Sequence, residues 1–195
     1  MTRKINNSYE LGQSNAPTDG GDMLKTRGDG TLVWEGVADT TYVPLVWYGG
    51  RGIISGGLTP ISNVIEYFPI NTTGNATDFG DLTVGRYYLA ACSNGSRGVI
   101  GGGEAAAYSN VIDYITVSTT GNATDFGDMT AARNGIGSCS DGTKGVWAGG
   151  STGSISNIID YVTIDTTGNA TDFGNLTVGR GQLAACASLI RGLFG

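Results

Sequence analysis

TGNATDFG at residues 73–80 returns letter for letter at 120–127 and at 167–174, each copy starting 47 residues after the one before. A catalytic loop has no use for three copies, whereas a unit that stacks on its own kind does. The three cysteines keep the same interval, at Cys92, Cys139 and Cys186, and so hold equivalent places in successive units. What a 47-residue unit builds therefore decides the fold.

Composition points to strands. Glycine supplies 34 of 195 residues, about 17% against a usual ~7%, and with Thr, Ser and Asn it opposes long helices and favours short strands joined by tight turns. No stretch carries sustained i, i+3, i+4, i+7 apolar spacing, so the fold class is all-β. The net charge of −6 argues against nucleic acid as a partner. No run of apolar residues is long enough to insert in a membrane, and MTRKINNSYELG at the start has no apolar core of the kind a secretory signal needs. At this length the chain accommodates one domain of good size, or a domain plus an attachment segment.

Aligned on the octet, one unit runs over 86–132 and the next over 133–179, preceded by about 40–85 and followed by a partial 180–195. Within 86–132, RYYLAACSNGSRGVIGGG gives two short apolar stretches around a Ser-Asn-Gly turn. SNVIDYITVSTTG makes a third strand rich in β-branched residues, and NATDFGDMT a shorter fourth. On the third strand Val111, Ile115 and Val117 share one face while Ile112 and Tyr114 share the other. Both faces are apolar, as a sheet sandwiched between two neighbours requires. The double glycines end the second strand at a tight turn, and within the octet Asn75 and Asp78 are expected to satisfy local backbone donors.

The unit resembles the kelch repeat, on Arg86, Gly102-Gly103, Asp113-Tyr114 and Phe126, then Arg133, Gly149-Gly150, Asp160-Tyr161 and Phe173. The preceding unit supplies Gly56-Gly57, Glu66-Tyr67 and Phe79 but no opening arginine, and phenylalanine stands where the family's tryptophan is common. The resemblance covers about 40–195 and implies kelch-like propeller blades of four antiparallel strands. Residues 40–195 make about 3.3 units, short of the usual 4–8 blades, so the ring is incomplete. An open stack exposes an apolar face and unpaired edges. The expectation is a polypeptide continuing past Gly195, in preference to completion by another copy or a partner, and in either case no stable isolated monomer of these 195 residues.

Asp113 and Asp160 lie among apolar neighbours, and a buried carboxylate needs a charged, hydrogen-bonded partner. The equally periodic Arg86, Arg133 and Arg180 are the expected partners, as structural ion pairs. Equivalent cysteines on neighbouring sheets are expected ~10 Å apart, too far for a disulfide's limit of about 7 Å, so Cys92, Cys139 and Cys186 are expected buried and unpaired. Arg51, Arg97, Lys144 and Arg191 place one cation per unit before the glycine of the second strand. They are candidates for contact with an anionic glycan or partner, against the plainer reading of solvated strand ends. The N-A-T triplets at Asn75, Asn122 and Asn169 match a glycosylation acceptor but are explained equally by turn chemistry. Asp78 with Asp81, and Asp125 with Asp128, lack full calcium-loop spacing. Arg27-Gly28-Asp29 is an adhesion tripeptide set in a plain hairpin.

With no histidine and no CxxC, no metal site is expected. The missing histidine also removes the commonest general base and the copper ligands of oxidases that share the propeller fold. GGSTG at 149–153 matches a hydrolase elbow but lacks the histidine and the strand-to-helix turn. No enzyme activity and no cofactor are expected.

Residues 1–39 do not follow the repeat. GGDMLKTRGDGTLVWEG at 20–36 resembles a segment of bacteriophage fibre and virion-decoration proteins, where such hairpins lie toward the virion and pack between subunits. The resemblance implies a non-catalytic virion structural protein, a fibre or decoration subunit located on the virion and released by lysis. Residues 1–39 would attach it, its partners would be other virion proteins and copies of itself, and loops 104–109 and 151–156 would meet host surface glycans. The alternatives are a bacterial cell-surface glycan-binding module and a polysaccharide-acting propeller enzyme.

Overall fold

A computed structural model describes residues 22–26, 32–36, 50–188 and 190–195. The chain divides into two units, Met1–Val46 and Trp47–Gly195. In the first, β1 (Asp22–Thr26) pairs antiparallel with β2 (Leu32–Gly36), Leu24 opposite Trp34. The Arg27-Gly28-Asp29 tripeptide lies outside the described residues.

The second unit is all-β among the described residues, a series of small antiparallel meanders. The first sheet has three strands, β3 (Arg51–Gly57), β4 (Ser62–Pro69) and β5 (Thr77–Asp81). Two four-stranded sheets follow: β6 (Ala90–Ser93), β7 (Arg97–Gly101), β8 (Val111–Thr116) and β9 (Thr124–Asp128), then β10 (Gly137–Ser140), β11 (Lys144–Ala148), β12 (Ile158–Thr163) and β13 (Thr171–Asn175). The last has two strands, β14 (Ala185–Ser188) and β15 (Arg191–Phe194). The expected four strands per unit are thus met in the two middle sheets, and among the described residues the sheets do not close into a ring.

Strand alternation sends Val99 and Ile112 to one side of the second sheet and Ile100 and Ile115 to the other. Ile100 and Ile115 meet Ile65, Phe79 and Leu82 from the first sheet. Val99, Ile112 and Phe126 meet Ile136, Trp147, Val162 and Ile164 from the third. Trp147 is fully buried, donates from Nε1 to Ala90 O at 3.0 Å and lies where a side chain on Gly101 would sit. Each apolar layer is therefore made by two consecutive units, and no sheet has a core of its own.

Candidate functional site

The polar groups of the repeat fall into two sets, one between sheets and one on the loops. Arg86 and Arg133 precede β6 and β10, and both are fully buried. Arg86 Nη2 donates to Asp113 Oδ2 at 2.6 Å, and Nη1 donates to the carbonyls of Gly102 and Val111 at 2.9 and 2.6 Å. Arg133 repeats this with Asp160 Oδ2 at 2.6 Å and the carbonyls of Gly149 and Ile158 at 3.0 and 2.8 Å. The other carboxylate oxygen accepts from a hydroxyl, Thr83 on Asp113 at 2.6 Å and Thr130 on Asp160 at 2.5 Å. Burial lowers the pKa of both guanidinium groups, and the aspartates oppose that shift. Arg180 differs from its expected role. It is exposed, meets no carboxylate among the described residues, and donates from Nη1 to Phe194 O at 3.2 Å.

The arginine backbones also join units. Gly57, Gly103 and Gly150 donate from their amides to the carbonyls of Arg86, Arg133 and Arg180 at 3.0, 2.8 and 2.7 Å. The second glycine of each pair thus donates to the next unit's arginine carbonyl, while the side chains of Arg86 and Arg133 pin their own units.

The four strand-end cations fare unevenly. Arg51, Arg97 and Lys144 stand over Tyr67, Tyr114 and Tyr161 at 4.5, 4.5 and 4.9 Å, a geometry that attracts cation to ring. Each tyrosine meets Phe79, Phe126 or Phe173 edge to face. Arg51 Nη1 reaches Val117 O at 2.9 Å and Arg97 Nη1 reaches Ile164 O at 3.1 Å, both in the following unit. These side chains are half-buried and engaged, while Arg191 is exposed.

All three cysteines are free. Only Cys139 is buried: Cys92 is half-buried and Cys186 exposed. Cys186 departs from the expected burial because cover comes from the following sheet, and no sheet follows its own among the described residues; Cys92 departs from it only in part. A methyl on Gly145 would come within 2.9 Å of Cys92 Sγ, and one on Gly192 within 2.8 Å of Cys139 Sγ. Burial pushes the Cys92 thiol up to about 12 and raises that of Cys139.

The octet serves a local backbone donor in its third copy, where Asp172 Oδ1 accepts from the Gly174 amide at 3.3 Å, but its main contacts reach across units. Gly121 and Ala123 donate to the carbonyls of Phe79 and Asp81 at 2.7 and 2.8 Å, and Asn122 Oδ1 accepts from the amide of Asp81 at 3.1 Å. Gly168 and Ala170 donate likewise to Phe126 and Asp128 at 2.8 and 2.7 Å, and Asn169 Oδ1 accepts from Asp128 at 3.0 Å. The first half of one copy grips the second half of the copy before it. Gly80 and Gly127 permit the approach: a methyl there would come within 2.4 Å of Gly121 O and 2.5 Å of Gly168 O. The copy 120–127 takes part in two joints, with Gly121, Asn122 and Ala123 in one and Phe126 and Gly127 in the other.

On the loops, the segment 104–109 is held by backbone pairing of Glu104 with Tyr87 and with Tyr108, and Ser151 pairs the same way with Asn134 and Ile155. The GGSTG stretch is part of this second loop. Tyr87 and Tyr88 lie edge to face with ring centroids 5.0 Å apart, and Asn134 Nδ2 donates to Glu104 Oε2 at 2.5 Å. Tyr88, Gly135 and Gln182 occupy one repeat position and share left-handed backbone, φ 54°, 60° and 56°. Gly135 donates to Tyr88 O at 2.9 Å and Gln182 to Gly135 O at 2.7 Å. Beside this backbone file is a cavity of about 340 Å³ lined by Tyr88, Leu89, Gly135, Ile136, Gln182 and Leu183. Non-glycine residues held at positive φ cluster at binding sites, and Tyr88 and Tyr108 are both exposed.

No protein-family model matches the chain, and no curated protein matches it.

Reading the residues from the repeat outward passed over Tyr87, Tyr88, Asn134 and Gln182. Their mark in the sequence is variation: positions 88, 135 and 182 carry Tyr, Gly and Gln, two residues after an arginine that all three units keep.

Proposed function

We propose that the chain is a non-catalytic virion structural protein of a bacteriophage, a fibre or decoration subunit. In this reading residues 40–195 are kelch-like propeller blades and 1–39 attach them to neighbouring virion subunits. The observation that carries it is the head-to-tail grip of successive octets. Together with the Arg86–Asp113 and Arg133–Asp160 pairs, which pin the strands of each unit, it commits the periodic polar groups to building the stack. The acidic residues at these positions are locked by arginine and threonine, an arrangement suited to rigid display. The tyrosine-bearing loops, with Glu104, Asn134 and Gln182 beside them, are the surface offered to host saccharides. Aromatic faces stack on sugar rings, and carboxylate and amide groups meet hydroxyls.

Quantitative mass spectrometry of purified virions tests the assignment: the protein is expected in stoichiometric amount with other virion proteins. Its absence from virions, or steady turnover of host polysaccharide by the purified chain, would overturn it. The exposed Tyr88 and Tyr108 also favour a second reading, a bacterial cell-surface glycan-binding module, which predicts the protein on bacterial envelopes without phage.

A further inference from the structure

Tyr88, Gly135 and Gln182 stand at one repeat position in successive units, and only the middle one has no side chain. The cavity of about 340 Å³ opens at this glycine, with Tyr88 and Gln182 of the adjoining units beside it. Its apolar lining is Leu89, Ile136 and Leu183, the residue that follows in each unit. Each of these is seated against the first glycine of the preceding unit's pair. A methyl on Gly56, Gly102 or Gly149 would come within 2.9, 2.8 and 2.4 Å of Leu89 Cδ2, Ile136 Cδ1 and Leu183 Cδ1. The backbone rim is tied in the same way, since Gly135 donates to Tyr88 O and Gln182 donates to Gly135 O. Tyr88 and Gly135 lead into the two four-stranded sheets, so the cavity is built at the joins between units and not at an open strand edge. A ligand finds both lining and rim already formed, which lowers the cost of binding.

We propose that this cavity binds one uncharged pyranose ring. Its volume is at the low end for small-molecule sites, and an apolar lining with a few polar groups is what such sites present. The C–H face of the sugar lies on the Tyr88 ring, an apolar body with a polar tip. Its edge meets Leu89 and Ile136, and its hydroxyls take the Gln182 amide, which offers two donors and an acceptor. The charge selection follows from what is missing. No charged side chain lines the cavity, and the nearby Glu104, held by Asn134 next to Gly135, is acidic. A sugar carboxylate would therefore lose water without gaining a cation, a costly exchange. The strained backbone at Tyr88, φ 54°, aims the ring to serve the cavity. This site rests on the reading of the tyrosine loops as a saccharide surface and is separate from the virion assignment. Absence from virions leaves it standing, and failure to bind a sugar leaves the virion assignment standing.

The test titrates the full chain with the methyl glycosides of glucose, galactose, mannose and N-acetylglucosamine, and with glucuronate as the charged control, followed by saturation-transfer NMR. Saturable binding of at least one methyl glycoside is expected, with roughly millimolar affinity for so small a ligand, and glucuronate is expected to bind at least about tenfold more weakly. Two variants locate the site. Tyr88→Gly removes the ring while keeping the left-handed backbone, because glycine already stands at this position in the next unit; binding about tenfold weaker is expected. Gly135→Asn keeps a residue that tolerates left-handed backbone and fills the cavity, where a methyl would already come within 3.2 Å of the Gln182 amide nitrogen; loss of binding is expected. Tryptophan fluorescence reports whether each variant is folded, and should Gly135→Asn fail to fold, Tyr88→Gly decides. No binding by any of the methyl glycosides overturns the proposal. So does unchanged affinity in folded Tyr88→Gly, and so does glucuronate bound as tightly as the best uncharged sugar.

Discussion

Asp160 is removed from water entirely, and the Arg133 guanidinium and the Thr130 hydroxyl replace its hydration. Because the pair is buried, removing one partner strands the other. Asp160→Ala is expected to destabilise by about 3–5 kcal/mol, read from chemical denaturation with tryptophan fluorescence, whereas Arg133→Met with Asp160→Leu is expected to recover much of that loss. A double variant no more stable than the single one would show that Arg133 is needed chiefly for the carbonyls of Gly149 and Ile158. The cysteines give a second measurement at this scale. Cys186 is exposed, while burial raises the thiols of Cys92 and Cys139. Alkylation followed by peptide mass spectrometry is expected to label Cys186 first and the other two slowly. The fold holds the Cys92 proton up to about 12, against an ordinary value of 9.0. The stability it contributes is therefore fully present below the ordinary value and is lost as pH rises through that window. A Cys92→Ser chain with the same alkaline stability profile as the parent would contradict this.

Among elements, the octet strand and the loop leading into the next one form a joint, and the same substitution should cost different amounts in different copies. Asn169→Ala removes the acceptor for the Asp128 amide, so a loss of about 1 kcal/mol is expected. Asn75→Ala, exposed and without a partner among the described residues, is expected to change stability by less than about 0.5 kcal/mol. Gly127 and Gly174 make the sharper contrast, since both have positive φ, 141° and 137°. Alanine at either position bears backbone strain of about 1–3 kcal/mol, but only at Gly127 does it also meet a carbonyl. Denaturation midpoints for the four variants check this, and equal costs at Gly127 and Gly174 would dissolve the joint. The strands and the two-faced third strand were legible in the sequence because period-two alternation is local, and the Arg86–Asp113 partnership because a buried carboxylate needs a cation and the arginines share its 47-residue period. The joint was not. Asn122 and Asp81 are 41 positions apart, and an Asn beside a glycine satisfies the local turn pattern equally well. The tyrosine loops were obscure for the opposite reason: their residues break the repeat, and a search for periodicity discards what breaks it.

At the scale of the whole molecule, stability should follow how many neighbours each sheet has, because every apolar layer is shared between two units. The sheet β6–β9 is covered on both sides, by Ile65, Phe79 and Leu82 on one and by Trp147, Val162 and Ile164 on the other. The hairpin β14–β15 is mostly exposed, as is β13. Amide exchange in the native state separates such regions, since poorly covered segments open at small free energy while the best covered open only with global unfolding. Slowest exchange is expected in β7, β8, β11 and β12, and fastest in β15 and β13. Pairing within a strand does not by itself predict this order, because β14 and β15 form a regular ladder from Ala185 opposite Phe194 to Ser188 opposite Arg191. If coverage governs stability, that ladder exchanges early despite its hydrogen bonds. If instead β15 proves as protected as β7 in dilute chain, each sheet is stable alone, and the reading of a stack whose units depend on their neighbours fails.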